Sequence, residues 1–341
     1  MIKLSIEKAL GKPLAHDITR IVPGKSKGPA FKKGHVLTVD DVPILREMGN
    51  DYVYVFNPDT GYIHEDDAAK VLAEAFQKEW FTLEGPSEGR FILKAQIHGL
   101  LKIDVRLLTF INQSETIICS TIHQNTICFR GMTVAATRII PVCIEESRFW
   151  PVVEEIRDKG PLLRLLPLSR KNVGVVVTGE ELYSGRVKDC SLDILSPKVQ
   201  SLGGKIISHQ ICPDKKEAIS RAICQTAENG CDIIIITGGL SVDADDVTLD
   251  GIICSSATLV SYGSPILPGA MFALAYLGDI PILGIPAGLF YHKVTVLDIF
   301  LPRVMSGDVI TREDIVDLGH GGLCLNCPAC SYPVCPFGKG V

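Results

Sequence analysis

The sequence predicts an α/β protein whose second half forms an open, mainly parallel sheet with helices on both faces. Three apolar runs of strand length, Val173–Val177, Cys231–Thr237 and Ile280–Ile285, carry almost no charge. Such runs are typical of strands that are buried on both faces. Helical segments separate them, and strands that alternate with helices predict parallel βαβ units with right-handed crossovers.

The elements of this half follow one another in a regular order. Glycines or turn residues separate them, as expected for short βα and αβ connections. The predicted elements are a strand at Val173–Val177, a helix at Asp189–Leu202, a strand at Lys205–Ile211, a helix at Asp214–Glu228, a strand at Cys231–Thr237, a helix after Asp246, a strand at Ile280–Ile285 and a helix that ends near Met305.

The first half predicts a smaller α+β region. Residues 1–56 read as a small lobe with a helix at Asp41–Met48 and a strand at Tyr52–Phe56. A turn at residues 57–61 leads into an α+β insertion and connector, residues 57–170. A helix is favoured for Leu100–Ile111, and residues 144–170 read as the connector. Residues 171–310 then form the α/β domain, and residues 311–341 form a cysteine-rich tail.

Composition excludes several classes of protein. The 341 residues are 46% hydrophobic, enough for a sizeable core, and carry a formal net charge of −5 without a basic run, so a nucleic-acid partner is not expected. The first residues mix acids and bases and lack the apolar core of a signal peptide. No apolar stretch is long enough to span a bilayer. We therefore expect a cytoplasmic protein without a membrane partner.

Three loops should meet at one edge of the sheet. In open α/β sheets, ligands bind outside the carboxyl ends of the strands. The loops that leave these ends are residues 178–186, 237–246 and 286–292. Thr237-Gly238-Gly239 ends a buried strand, and its amides could cradle a phosphate monoester. The alternative is a glycine pair that only makes a tight turn.

The same loops carry a family resemblance. Thr178-Gly-Glu-Glu-Leu182 resembles the "TGDEL" loop of MoeA-type molybdopterin enzymes, and Asp232 to Asp246 resembles the "D…(S/T)GG.S.G..D" segment shared by MoeA and MogA. Gly284–Leu289 resembles "GLPGNP", and Lys33–Gly49 resembles the segment before the MoeA binding domain. The chain is identified as a MoeA-like member of the molybdopterin-binding family that lacks the "MDGYA" motif and carries the cysteine-rich tail.

The resemblance implies a MoaB/MogA-like fold, molybdopterin as ligand or substrate, and roles for particular residues. Glu181, Asp232 and Asp246 match the family's catalytic acids. The acids Asp243, Asp245 and Asp246 could accept hydrogen bonds from the N–H edge of a pterin or hold Mg²⁺, although helix capping needs just one of them. The implied cofactor-binding residues are Thr178, Gly179, Thr237, Gly238, Gly239, Ser241, Asp243, Asp245, Pro286 and Gly288.

Three functions stay open at this point. The first is a molybdopterin molybdotransferase of molybdenum cofactor biosynthesis. The second is a non-catalytic carrier or sensor of the pterin. The third is a nucleotide-processing enzyme like the CinA relatives, because Asp245-Asp-Val-Thr248 resembles the acidic loop of those proteins. The implied partners are the pterin, a second copy of the chain, and a molybdoenzyme or another cofactor-biosynthesis protein.

Four cysteines crowd into the tail. Cys324, Cys327, Cys330 and Cys335-Pro336 have the spacing C-x2-C-x2-C-x4-C-P, one residue longer than the bacterial ferredoxin run. Four thiolates in so short a segment predict a zinc site or an iron–sulfur cluster. The alternative is a flexible tail with reactive thiols.

Overall fold

The computed structural model describes residues 1–56, 61–76, 79–241, 243 and 245–340. Its backbone divides into two compact units. The first comprises Met1–Gln96, Ile103–Ile122 and Arg130–Arg164, and the second comprises Ile97–Lys102, His123–Phe129 and Leu165–Val341. The division into four segments at residues 56, 170 and 310 stays a prediction, because backbone compactness does not establish which segments fold independently.

The secondary structure is numbered along the chain. The strands are β1 (Ile2–Ser5), β2 (Ile18–Val22), β3 (Ser26–Phe31), β4 (Tyr52–Val55), β5 (Tyr62–His64), β6 (Phe81–Ser87), β7 (Arg90–Ala95), β8 (Gly99–Ile103), β9 (Ile117–Thr121), β10 (Ile127–Cys128), β11 (Thr133–Ile139), β12 (Cys143–Glu145), β13 (Leu163–Pro167), β14 (Asn172–Thr178), β15 (Lys205–Cys212), β16 (Ile233–Thr237), β17 (Thr258–Tyr262), β18 (Ala273–Leu277) and β19 (Ile280–Ile285). The α-helices are α1 (Ile6–Ala9), α2 (Asp41–Glu47), α3 (Glu65–Phe76), α4 (Val105–Asn112), α5 (Glu146–Lys159), α6 (Glu180–Tyr183), α7 (Ser191–Ser201), α8 (Lys216–Glu228), α9 (Thr248–Cys254), α10 (Val296–Met305) and α11 (Arg312–Val316).

The first unit confirms an N-terminal α+β region. Strands β1 and β4 pair antiparallel, β2 and β3 form a hairpin, and an apolar cluster that includes Ile6, Leu14 and Leu45 fills the space between them and α2. Further along, β6, β7, β11 and β9 form an antiparallel sheet in that order. The turn predicted at residues 57–61 lies, apart from Gly61, outside the described residues.

Two sequence predictions for the middle of the chain are wrong in detail. The single helix favoured for Leu100–Ile111 is a strand followed by a helix, β8 and α4, because Asp104 interrupts the apolar run and caps α4 by accepting a hydrogen bond from the Leu107 amide at 2.9 Å. The connector at residues 144–170 contains α5 and β13. Phe149, Val153 and Ile156 share the buried face of α5 at helical spacing, a period that the surrounding charges obscured.

The second unit confirms the predicted α/β class. Its sheet has the order β15-β14-β16-β19-β18-β17, in which the first four strands are parallel and the last two antiparallel. Alternate residues of β14 and β16 bury into two separate apolar clusters. One cluster contains Val175 and residues of α7 and α10, and the other contains Val176 and residues of α8 and α9. Helices therefore cover both faces.

This strand order positions the candidate site. The chain passes from β14 to the edge strand β15 and then back across to β16, so the connections after β14 and β16 leave in opposite directions. A ligand crevice opens at such a switch point, at the carboxyl ends of the strands. The loops after β14 and β16 are those that begin at Thr178 and Thr237.

Two features of the second unit have no counterpart in the sequence predictions. Strands β17 and β18 extend the sheet antiparallel, and the tail packs on the domain instead of standing apart. Ile315, Leu318 and Phe337 are buried in the same cluster as α10, so the last thirty residues or so share the α/β core.

In the described part of the chain, no helix combines the length and the apolar character that a membrane crossing requires.

Candidate functional site

The loops at the carboxyl ends of β14, β15 and β16 enclose an open cleft of about 1020 Å³. Its wall includes most of the residues that the sequence predicted to bind a ligand. Those that line it are Thr178, Gly179, Glu181, Thr237, Gly238, Gly239, Ser241, Asp243, Asp245 and Asp246. All three predicted loops therefore meet at this cleft, the third through Ala287, Phe290 and Tyr291.

The Gly238-Gly239 turn requires glycine at both positions. Both residues have positive φ angles, +97° and +55°. A Cβ atom on Gly238 would lie 2.1 Å from the Thr178 carbonyl oxygen, and one on Gly239 would lie 2.6 Å from Thr248 Oγ1. The Thr248 hydroxyl donates to the Gly238 carbonyl at 2.9 Å and lies 3.0 Å from Thr178 Oγ1. These hydrogen bonds hold the turn against the end of β14. Because neither glycine has a side chain, the backbone of the turn forms this part of the cleft surface.

Thr237 supplies an unsatisfied group at the floor of this cleft. It is fully buried, and its Oγ1 atom has no hydrogen-bond partner among the described residues. Leaving a buried hydroxyl unpaired costs about 1–3 kcal/mol. Native structures therefore rarely keep such a group unless a ligand, an ion or water satisfies it.

Carboxylates surround the rest of the cleft. Asp246 Oδ2 accepts from the Asp243 amide at 3.2 Å, and the Asp246 amide donates to the Asp243 carbonyl at 3.0 Å, which closes the acidic loop on itself. Glu181 lies on the exposed one-turn helix α6, and its carbonyl accepts from the amides of Arg186 and Val187. The acidic loop and α6 thus both present acids to the cleft.

Asp214 is a site residue that the sequence reading missed. Helix α8, which begins two residues later, has no side-chain cap. Asp214 Oδ2 accepts from the Glu180 amide at 2.9 Å and ties the loop after β14 to the end of β15. Burial raises the pKa of Asp214, and the nearby charges of Glu181 and Asp246 add to the increase against the lowering effect of the Glu180 amide. Its position directly after a parallel strand was the available signal.

This raised pKa makes a prediction about stability. An acid whose pKa is higher in the folded chain than in the unfolded chain costs folding free energy above the folded pKa and nothing below the ordinary value of 3.8. We expect Asp214→Asn to raise the free energy of unfolding at neutral pH and to lose that advantage under acid. Urea denaturation from about pH 7 to about pH 3 measures it.

The matched control is Asp41, an aspartate whose pKa is lowered in the folded chain. Although burial opposes it, hydrogen bonds from His35 and Thr38 lower the pKa of Asp41. Asp41→Asn should therefore reduce stability at neutral pH. An Asp214→Asn variant that is less stable than wild type at neutral pH would show that the ionised Asp214 carboxylate does not destabilise the fold.

Three of the predicted site residues lie elsewhere. Asp232 precedes β16, where its Oδ2 accepts from the Asn172 amide at 2.7 Å and its own amide donates to the Asn172 carbonyl at 2.7 Å. It therefore ties the amino ends of β14 and β16, at the opposite end of the strands from the cleft, and its catalytic role stays a prediction. Pro286 and Gly288 do not line the cleft, because Ala287, Phe290 and Tyr291 form the wall at that loop.

The tail cysteines form a separate feature. Cys324 and Cys335 are half-buried, Cys327 and Cys330 are exposed, and all twelve cysteines of the chain are free thiols. Within residues 1–56, 61–76, 79–241, 243 and 245–340, no three histidine, cysteine or acidic side chains form a group that could hold a metal ion. The same finding applies to Mg²⁺ at the acidic loop, so both metal assignments stay predictions.

Two segments of the chain match known families. Residues 174–293 match the family described as "Probable molybdopterin binding domain", and residues 3–57 match a domain of unknown function, DUF8806. The first match covers the sheet, the Gly238-Gly239 turn and the acidic loop. The predicted molybdopterin-binding domain is thus confirmed for residues 174–293, whereas the MoeA-like assignment of the chain stays a prediction.

The chain is also similar to curated proteins over a short segment. "CinA-like protein" from Amoebophilus asiaticus is 33% identical over 78 residues, which is 23% of this chain and 19% of that protein. "CinA-like protein" from Mycobacterium avium is 34% identical over 85 residues, 25% of this chain and 19% of that protein, and the one from Mycobacterium leprae is 39% identical over 77 residues, 23% and 18%. The matched part spans about a fifth of these relatives.

Among solved structures too, the chain is similar to a CinA protein and to molybdopterin biosynthesis proteins. CinA from Thermoplasma acidophilum, described as of unknown function, aligns with a TM-score of 0.35 and 15% identity over 40% of this chain and 98% of that one. The molybdopterin biosynthesis enzyme MoaB from Thermus thermophilus aligns with a TM-score of 0.34 and 16% identity over 40% and 98%. Alignments at these TM-scores support no conclusion about function.

Proposed function

We propose that the cleft binds molybdopterin and that the chain serves molybdenum cofactor biosynthesis as a pterin-binding protein. The observation that carries this proposal is the buried, unpartnered hydroxyl of Thr237 beside the Gly238-Gly239 turn. A phosphate monoester offers acceptor oxygens to such a hydroxyl and to the backbone amides of a glycine turn. The match of residues 174–293 to the probable molybdopterin binding domain supports the same ligand.

The charge of the cleft favours this ligand over a nucleoside triphosphate. Seven acids and one lysine, Lys188, line the cleft. A phosphate monoester brings about −1.5 to −2 charges into this field, and a triphosphate brings more, so it is repelled more strongly. The pterin ring carries adjacent N–H donors, and a carboxylate accepts two parallel hydrogen bonds. Asp214 and Asp246 line the cleft and carry the carboxylates that we propose for that contact.

A molybdotransferase would extend this binding function, with molybdate as its substrate. Glu181 and Asp246 line the cleft and could act on such a cargo, whereas Asp232 lies at the far end of the strands. Carrier and sensor functions need the same binding site without the reaction. The proposal therefore rests on pterin binding, which all three functions share.

Nucleotide processing is the second candidate. The similarity to CinA-like proteins over 77 to 85 residues favours it, together with the acidic loop that ends in Asp246-Val-Thr248. The two candidates differ in ligand. Wild-type protein that binds ATP as tightly as molybdopterin would support the nucleotide-processing function and remove the pterin proposal.

Thr237→Val tests the pterin proposal directly. The substitution keeps the shape of the side chain and removes its unpaired hydroxyl, so we expect unchanged or higher thermal stability. A hydrogen bond to a charged group contributes about 1.5–3 kcal/mol, which predicts roughly ten- to hundredfold weaker molybdopterin binding. Fluorescence titration with anaerobically prepared molybdopterin measures the affinity, with ATP as competitor.

Thr226→Val is the matched control. Thr226 is also fully buried, but its hydroxyl donates to the Ala222 carbonyl at 2.7 Å and accepts from Gln210 Nε2 at 3.1 Å. This variant should lose stability and keep its affinity for the pterin. If Thr237→Val binds molybdopterin as tightly as wild type does, the hydroxyl does not face the ligand and the proposed site is wrong.

A further inference from the structure

The four cysteines of the tail line one cavity of about 240 Å³ in the second unit. This cavity is separate from the acidic cleft, although Tyr291 contributes to the walls of both. Its wall combines two segments of the chain, residues 291–294 and residues 323–337. The spacing of the cysteines along the sequence therefore corresponds to a shared location in space, which the sequence alone could not establish.

The tail is anchored on both sides of the exposed cysteines. The Cys324 amide donates to the Leu267 carbonyl at 2.8 Å, and the Tyr332 hydroxyl donates to the Asp298 carbonyl at 2.9 Å. Phe337 is buried in the core beneath α10. These contacts fix the chain before Cys327 and after Cys330, so the four thiols stay beside the same cavity.

The ligand set and its spacing indicate which kind of centre the thiols suit. Cys324, Cys327, Cys330 and Cys335-Pro336 differ by one residue from the bacterial ferredoxin run. The described residues contain no group of three side chains that already stands ready to hold a metal ion, so the centre would form only when iron and sulfide are supplied.

We propose that Cys324, Cys327, Cys330 and Cys335 hold an iron–sulfur cluster of the [4Fe–4S] type in this cavity. Four cysteine thiolates are the usual ligand set of such a cluster. Leu323, Leu325, Pro328 and the buried Phe337 also line the cavity, so part of its wall is apolar. The proposal goes beyond pterin binding and does not depend on it.

The test uses the full chain, expressed and purified without oxygen and reconstituted with iron and sulfide. We expect about four irons and four acid-labile sulfides per chain, together with the broad visible absorption of a cluster. Cys327→Ser and Cys330→Ser should each lose most of the iron. Both side chains are exposed, so the variants should keep the far-ultraviolet circular dichroism of wild type.

Cys254→Ser is the matched control, because Cys254 is exposed on α9 and does not line the cavity. It should keep the full iron content. One zinc per chain without iron, or four freely titrating thiols after reconstitution, would overturn the proposal. Iron that persists in Cys327→Ser and Cys330→Ser, or that is lost in Cys254→Ser, would overturn it as well.

Discussion

Gly238→Ala is expected to abolish molybdopterin binding, with an affinity at least a hundredfold below that of wild type. The new Cβ would lie 2.1 Å from the Thr178 carbonyl oxygen and 2.7 Å from Thr178 Oγ1, so either the turn or the end of β14 must move. The φ angle of +97° adds a penalty of about 1–2 kcal/mol for a residue with a side chain. The turn that would hold the phosphate therefore loses its shape.

Gly230→Ala separates the steric clash of the new Cβ from the backbone strain of a positive φ angle. Gly230 also has a positive φ angle, +81°, but a Cβ there would meet no atom within 4 Å. This variant should lose stability through backbone strain alone and keep its affinity. Isothermal titration for binding and thermal denaturation for stability measure the two effects. Gly238→Ala protein that is folded and binds the pterin normally would show that the turn does not form the phosphate site.

The sequence predicted the sheet of the second unit well because burial on both faces leaves a clear pattern. Val173–Val177 and Ile233–Ile236 are uninterrupted apolar runs, and both are central strands. Strand β17 escaped notice since Thr258, Leu259 and Tyr262 are exposed at least in part, as expected at a sheet edge. The antiparallel pairing of β17 and β18 depends on contacts that local periodicity does not encode.

The candidate site shows where a linear motif misleads. Asp232 belongs to the same sequence motif as Asp246, but Asp232 precedes the five-residue strand β16 and Asp246 lies in the loop after it, so the two lie at different ends of the sheet. Asp214 lies outside the motif, yet the parallel pairing of β14 and β15 brings it to Glu180. The direction of the strand, and not the spacing along the chain, decides which acids meet.

The largest loss of stability is expected from Arg303→Met. Arg303 lies on α10 with 3% of its side chain exposed, and it donates from Nε to Asp308 at 2.6 Å and from Nη2 to Asp314 at 2.9 Å. Removing one partner of a buried ion pair costs about 3–5 kcal/mol. Lys102 still pairs with Asp308 at 2.8 Å, so we expect a loss near the lower limit, about 3 kcal/mol. Urea denaturation measures it.

The same substitution at an exposed pair is the control. Arg20 pairs with Glu47 at 3.3 Å, and about half of the Arg20 side chain is exposed. Arg20→Met should cost less than about 1 kcal/mol. Equal losses in the two variants would show that the buried network does not stabilise the second unit.

Acid provides an independent check of the Arg303 network. Although burial opposes it, hydrogen bonds from Thr311 and the charge of Arg303 lower the pKa of Asp314 below its ordinary 3.8. A carboxylate with a lowered pKa stabilises the fold above its unfolded-state value and loses that contribution as the pH falls through its folded-state value. The stability difference between wild type and Arg303→Met should therefore narrow below about pH 3.8. A difference that stays constant into acid would mean that Arg303 stabilises α10 by packing, without its charge.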